Sequence, residues 1–355
     1  LGDWDAGAGG GALIFTGSGS NDFKNASAVS GNGTLDVQAG TANFNLGSTF
    51  ASTLSVLISG GTLNFNDTTA ETLQSLTLSG GILGGTGNVI VAGAFNWTGG
   101  TLSGSGSLTI NTAGLLTIGS GGDHLLDGRN LINNSTNAAN VWSQINNTFT
   151  INNGGGFTNN GLLNITTNVI MADGGTGTNQ FINTGTLTAN TTGGLAVAFS
   201  NSGSLDIQSQ TFNLTSSFTQ TAGSTLLSGG DLSVTTLALN GGTLGGSGTI
   251  TGDVNNSAGT VQPGGAGTTG ILTINGNYTQ GVTAALDIEL NGTTPGTQHD
   301  QLLVNGAAVV ATLNGTLNLT LLGGYTPLQT DNYRFVNVTG GGSLVGTFAT
   351  EKIPA

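Results

Sequence analysis

Cysteine is absent from this chain, and proline, methionine and tryptophan number only 4, 1 and 3. The first absence excludes a disulfide framework, and three tryptophans (Trp4, Trp97, Trp142) make a thin platform for stacking sugars. Positive charge is nearly missing: Lys24, Arg129, Arg334 and Lys352 stand against 17 acids, for a formal charge of −13. Four bases cannot neutralise a phosphate backbone, so nucleic acid is excluded as a partner, and anionic membranes are disfavoured on the same ground. No apolar run approaches the roughly 18 to 20 residues that span a bilayer, and no leader with a basic start and an apolar middle is visible. Membrane insertion by this segment is therefore not expected. The chain opens on Leu1 instead of Met, as expected of a processed or excised segment.

What the chain does contain is glycine, 65 of 355 residues, with a hydrophobic fraction of 36% that is too high for a disordered linker. Glycine, threonine, asparagine and serine all weaken helices, and no long stretch shows helical spacing of apolar residues. Short alternating runs remain, such as Leu35-Asp36-Val37, Leu63-Asn64-Phe65 and Leu108-Thr109-Ile110, each broken by Gly, Asn or Ser. These are strands between tight turns. One phrase repeats: Leu76-Thr77-Leu78-Ser79-Gly80-Gly81-Ile82-Leu83-Gly84-Gly85-Thr86-Gly87 returns as Leu237-Ala238-Leu239-Asn240-Gly241-Gly242-Thr243-Leu244-Gly245-Gly246-Ser247-Gly248. The Gly-Gly pairs beginning at Gly60, Gly80 and Gly99 are 20 and then 19 residues apart. Reiteration at about 20 residues fits one turn of a parallel β-helix with three strands and three corners, stacked about 4.8 Å from the last. The fold class expected is all-β, a β-solenoid.

Two parts are expected along the chain, Gly/Asn-rich coils over 1–262 and an end module over 263–355. Residues 123–145 read as the least regular stretch, a loop or distorted coil. A second repeat dialect follows it in Phe157-Thr158-Asn159-Asn160-Gly161, Phe181-Ile182-Asn183-Thr184-Gly185 and Phe199-Ser200-Asn201-Ser202-Gly203. Phe there points into the core, Asn sits at a corner where it tolerates left-handed backbone and stacks in a ladder, and Gly supplies positive φ.

From Gly270-Ile271-Leu272-Thr273-Ile274 through Leu286 to Leu290, Asp300-Gln301-Leu302-Leu303-Val304, Gly323-Gly324-Tyr325-Thr326-Pro327 and Gly346-Thr347-Phe348, the sequence resembles the C-terminal part of bacterial autotransporter passenger domains. The upstream coils are similar to repeats of the same adhesin class, including filamentous-haemagglutinin-like surface proteins. The resemblance covers nearly the whole chain and implies a right-handed parallel β-helix exported to the bacterial cell surface. It implies little about activity, since such coils carry adhesins, enzymes and inert stalks.

Catalytic ingredients come together only in Asp123, His124, Asp127 and Arg129, where carboxylates and a base could perform acid/base chemistry on a polysaccharide. The structural alternative is a polar loop whose Asp and Arg pair with one another. His299-Asp300 is a second acid–imidazole pair, for which the resemblance implies a role in the fold. Asp287 and Glu289 alternate on one strand, sharing a face that could hold a cation or simply meet solvent. Gly84-Gly85-Thr86-Gly87 lacks the Lys and the helix of a phosphate-binding loop. Thr-x-Thr does not recur at coil spacing, as an ice-binding face would require. No cofactor is expected.

The reading that follows is a non-enzymatic extracellular structural or adhesive β-solenoid that contacts cell-surface or matrix components, carbohydrate among them. Two others stand beside it: a subunit that polymerises through its solenoid ends, which are open strand edges, and a carbohydrate-active β-helix enzyme centred on 123–129.

Overall fold

A computed structural model describes residues 3–5, 10–24 and 26–354. It divides into two compact units, Leu1–Ile182 and Asn183–Ala355. None of the described residues is helical, and all the strand ladders are parallel. The chain is a β-solenoid.

In the first unit the opening coils run Ala12–Phe15, Ser20–Phe23, Ala28–Ser30 and then Thr34–Val37, Thr41–Phe44, Thr49–Phe50. The first strand of each coil pairs with its counterpart a coil later: Leu13 with Leu35, Leu35 with Val56, Val56 with Leu76, Leu76 with Phe95, Phe95 with Leu116. Those partners are 22, 21, 20, 19 and 21 residues apart. The period of two in each strand sends Leu, Val, Ile and Phe inward and Ser, Thr and Asn outward. The same side chains therefore stack on themselves: Phe23 lies 4.5 Å from Phe44 with the rings parallel, and Phe44 5.3 Å from Phe65. Such ring pairs add about 0.5–1.5 kcal/mol beyond the area they bury.

The second unit repeats the scheme with a wider range of coil lengths. Leu187, Leu205, Thr225, Leu244 and Val261 are register partners 18, 20, 19 and 17 residues apart. Beyond Val261 the steps to Leu286, Leu317 and Glu351 grow to 25, 31 and 34. The ladder passes through 263 without a break, in strand Thr260–Pro263, and the added residues lie in corner segments such as 291–300 and 322–335. Strand Asp231–Leu239 turns a corner without leaving the ladder, by a register shift between Ser233 and Thr236.

The repeated glycine phrase is a corner. Gly81 has φ of +67°, and a Cβ on it would lie 2.2 Å from the Gly61 carbonyl oxygen. Gly242, at φ of +71°, would meet Gly223 at 2.3 Å. Both positions need positive φ and close approach to the previous coil, which only glycine supplies. In the second unit the pairs Gly229-Gly230 and Gly241-Gly242 fall within one coil. The phrase is thus a corner solution used at more than one corner, and its spacing equals the coil length only where the same corner is repeated.

Residues 123–145 depart from the expected irregularity. They contain strands His124–Asp127, Asn130–Asn133 and Val141–Trp142, each paired in parallel with the coil before and after. Inward His124, Leu126, Leu131 and Trp142 keep the core filled. The irregular part shrinks to the link around 134–140, where Asn140 donates to Ser135 O and Leu162 O and accepts from Leu116 N.

Candidate functional site

Strand alternation for His124, and the turn at Gly128 for Arg129, separate the four residues of the expected acid/base cluster. His124 and Arg129 point inward and are buried, while Asp123 and Asp127 lie on the outside. His124 Nε2 donates to Trp97 O at 3.1 Å, its ring packs edge-on against Trp97 and parallel to Phe149, and Nδ1 has no hydrogen-bond partner. Desolvation holds its pKa below the usual imidazole value, against the opposing pull of the Trp97 carbonyl and Asp123. Asp123 caps the next coil, its Oδ1 accepting from Thr148 N at 2.9 Å, and that bond lowers its pKa. Asp127 Oδ1 accepts from Asn153 Nδ2 at 2.5 Å.

Arg129 does not pair with an aspartate, contrary to the structural alternative offered above. Its donors all go to backbone carbonyls: Nε to Ser103, Nη1 to Gly87 and Ser107, Nη2 to Gly84 and Gly85. Burial pushes the guanidinium pKa down to about 10. Asp127 ends one strand, the next begins at Asn130, and Gly128 between them takes φ of +75°, so the turn carries Arg129 inward away from Asp127 and proximity in sequence does not become an ion pair.

His299 and Asp300 are buried in the second unit. Tyr333 and Phe335 meet the His299 ring edge-on at 5.6 and 6.1 Å, and desolvation lowers its pKa. Asp300 ties two strands together, Oδ1 accepting from Gly270 N and Oδ2 from Glu289 N, both at 2.8 Å. Burial pushes its pKa up to about 7, with the two N–H bonds opposing.

Asp287 and Glu289 share the outward side of strand Ala285–Leu290, but only Asp287 meets solvent. It accepts from Asn318 Nδ2 at 2.5 Å. Glu289 is 7% exposed because the corner segment over it supplies Gly267 N to Oε1 at 2.9 Å. A solvated face thus describes one of the two; among the described residues no group of three or more His, Cys, Asp or Glu could hold a metal ion.

Two features go beyond the sequence reading. The first is that the expected asparagine ladder lies in the interior and takes in glutamines. Asn133, Asn159, Asn183, Asn201, Gln220, Asn256 and Gln280 are all buried at the end of a strand. Asn133 Nδ2 donates to Asn159 Oδ1 at 2.8 Å and to Leu162 O at 2.9 Å. In the second unit Asn183 donates to Asn201 Oδ1 and Ser204 O, Asn201 to Ser224 O, and Gln220 to Thr243 O. Each side chain closes the carbonyls of the following corner from inside. The ladder was expected; left-handed backbone is not its cause, since among the described residues the non-glycine residues with positive φ are Ala26, Asn146, Asn153, Gln210 and Ala308. Nor do Gly161 and Gly203 have positive φ. A Cβ there would lie 2.0 Å from Ser135 O and 2.1 Å from Gly185 O, so close approach requires glycine.

The second is an outward row of hydroxyls in the second unit. Thr186, Ser204, Ser224, Thr243 and Thr260 are successive register partners, all half-buried, with Ser224 Oγ donating to Ser204 Oγ at 3.4 Å. Beside it run Thr188, Asp206, Leu226, Gly245 and Gln262, so the face is a single hydroxyl row instead of paired threonines. In the first unit Thr34, Ser55 and Ser75 are likewise register partners on the first strand of each coil, with Ser75 Oγ donating to Ser55 Oγ at 2.9 Å, and Asp22, Asn43 and Asn64 form a separate outward ladder on the following strands, joined by amide bonds of 2.8 Å. An apolar groove of about 460 Å³ lies among Leu290, Leu319, Leu321, Tyr333, Phe335 and Ile353.

No family model matches the chain, and no curated protein matches it. The described residues form parallel stacked coils without a helix, compatible with a β-helix passenger class.

Proposed function

We propose that the chain is a non-enzymatic structural or adhesive β-solenoid of a bacterial cell surface, binding cell-surface or matrix carbohydrate along its outward strand rows. The observation that carries this reading is the hydroxyl row Thr186, Ser204, Ser224, Thr243 and Thr260, held in register by the coil repeat. Strand pairing sets its spacing at about 4.8 Å. A rigid, evenly spaced line of neutral donors and acceptors suits a repeating, uncharged polymer better than a single small molecule. Three of the four residues of the expected acid/base set support the same reading, because they are engaged in holding backbone, His124 at Trp97, Asp123 at Thr148 and Arg129 at five carbonyls, while Asp127 meets the Asn153 side chain.

The test is a panel of surface glycans and matrix proteins probed with the wild type and with the triple variant S204K/S224K/T243K, which fills the row without touching the core. Wild-type binding that falls at least about tenfold in the folded variant, a loss of about 1.4 kcal/mol, is the expected result. Binding unaffected by the three lysines sinks the row as the contact surface. Depolymerisation of any polysaccharide on the panel replaces this reading with the enzymatic one.

Self-assembly is a second reading, favoured by one observation. The last ladder strands continue the inward columns, Ala311 pairing with Leu344, yet Leu344 is 51% exposed, and Ile353 is 65% exposed. Concentration-dependent growth in sedimentation velocity supports it, and a monomer at every concentration removes it.

A further inference from the structure

The carbonyls around Arg129 account for its whole side chain. A guanidinium carries five N–H donors. Each has its own acceptor here: Ser103 O at 2.7 Å, Gly87 O at 3.3 Å, Ser107 O at 3.0 Å, Gly84 O at 3.0 Å and Gly85 O at 2.9 Å. The residue is fully buried, and among the described residues no carboxylate forms an ion pair with it. A charge taken out of water is strongly unfavourable unless paired or surrounded by dipoles that replace its hydration. Here five peptide dipoles do that work. Three belong to the Gly84–Gly87 phrase, where Gly85 has φ of +95° and a Cβ would lie 2.2 Å from Phe65 O. No other residue type allows the backbone to fold back so closely and present successive oxygens to one ligand.

We propose that this corner is a cation-binding cage for guanidinium, that Arg129 is its tethered occupant, and that the Arg129→Ala chain takes up free guanidinium ion in its place. The acceptors come from two successive coils, 84–87 and 103–107, and the ligand from a third, so the occupant fastens three coils at one corner. Five acceptors around one group suit a forked five-donor cation. An ammonium, with three donors, leaves two carbonyls bare. Removing the side chain leaves a void of the missing group's shape, lined by oxygens that have lost their donors.

Thermal unfolding of the wild type and of R129A in guanidinium chloride at ~10 mM, far below denaturing concentration, tests this against equal sodium chloride and equal urea. The expected result is a lower midpoint for R129A, raised saturably by guanidinium alone, with the wild type unresponsive. R129K and R129M supply a second measurement that needs no added ligand: a cation cage orders them Arg above Lys above Met, although Met has the more favourable side chain for burial. A folded R129A indifferent to guanidinium overturns the proposal. If R129A does not fold, the Lys and Met variants decide, and R129M at least as stable as R129K overturns it.

Discussion

Asn201 receives the Nδ2 hydrogen of Asn183 on its side-chain oxygen at 2.8 Å, one coil along the interior of the second unit, and passes its own Nδ2 hydrogen to Ser224 O. Asn201 is thus a buried amide that both accepts and donates, and farther along the row Gln220, Asn256 and Gln280 donate to backbone carbonyls. A buried polar group costs little while fully bonded and about 1–3 kcal/mol when its partner is removed. Asn201→Leu, close in volume, is therefore expected to lose about 1–3 kcal/mol in urea unfolding, despite adding apolar surface. An unchanged or higher midpoint would mean that the amides are replaceable filling.

Glycine at the corners gives a sharper contrast. Gly81→Ala puts a Cβ where φ is +67° and Gly61 O is 2.2 Å away, and Gly242→Ala does the same in the second unit against Gly223 O at 2.3 Å. Each is expected to destabilise by more than about 1 kcal/mol, the usual size of a left-handed alanine alone, because overlap adds to it. Gly10, also at positive φ but with open space around it, is the control that carries the backbone strain without overlap. Equal losses at Gly10 and Gly81 in calorimetry would remove the role assigned to close approach.

Asp300 offers its two oxygens to two different backbone donors, Gly270 N and Glu289 N. Asp300→Asn keeps the size but turns one oxygen into an NH₂ facing an N–H group. About 1–3 kcal/mol of stability is expected to disappear, together with faster hydrogen exchange at the Gly270 and Glu289 amides. Exchange at those two amides that stays slow would show that the carboxylate is not their anchor.

Glu71 gives the pH dependence. Burial first, and the charge of Asp67 second, push its carboxyl from 4.5 up to about 7. The folded chain therefore holds this proton more tightly than the unfolded chain, so its contribution to stability is present below pH 4.5 and is lost as pH rises to about 7. Comparing wild type with Glu71→Gln isolates that contribution. The difference in unfolding free energy should shift in favour of Gln between those two values and stay level above them; parallel pH profiles would contradict the buried-acid assignment.

Alternation in runs such as Leu63-Asn64-Phe65 was enough to read strands, because inward and outward positions differ in polarity throughout. The Gly-Gly spacing was enough to read a coil, because Gly60, Gly80 and Gly99 repeat the same corner. Where inward positions carry polar side chains, that code fails. His124, Arg129, Asn133 and Asn140 are all inside, and their polarity made 123–145 look like a loop. Their burial depends on acceptors 22 to 45 residues away, such as Ser107 O and Gly84 O for Arg129, which no local pattern displays. The candidate site was illegible for the same reason. Asp123, Asp127 and Arg129 are close in sequence, but the turn at Gly128 carries Arg129 to the inside while the two aspartates stay outside, whereas Thr186, Ser204, Ser224 and Thr243 are distant in sequence and aligned by register.

The unequal coil lengths of the second unit have a mechanical consequence. A parallel ladder pulled from its end opens rung by rung instead of shearing all at once, and each rung frees the residues of one coil. Coils of 17 to 20 residues each release about 60–70 Å of slack. The coils of 31 and 34 residues that lead to Leu317 and Glu351 each release about 100–120 Å. Tension applied at that side first meets the longest reserves, so the unit can lengthen under load like a graded shock absorber while its shorter coils remain wound.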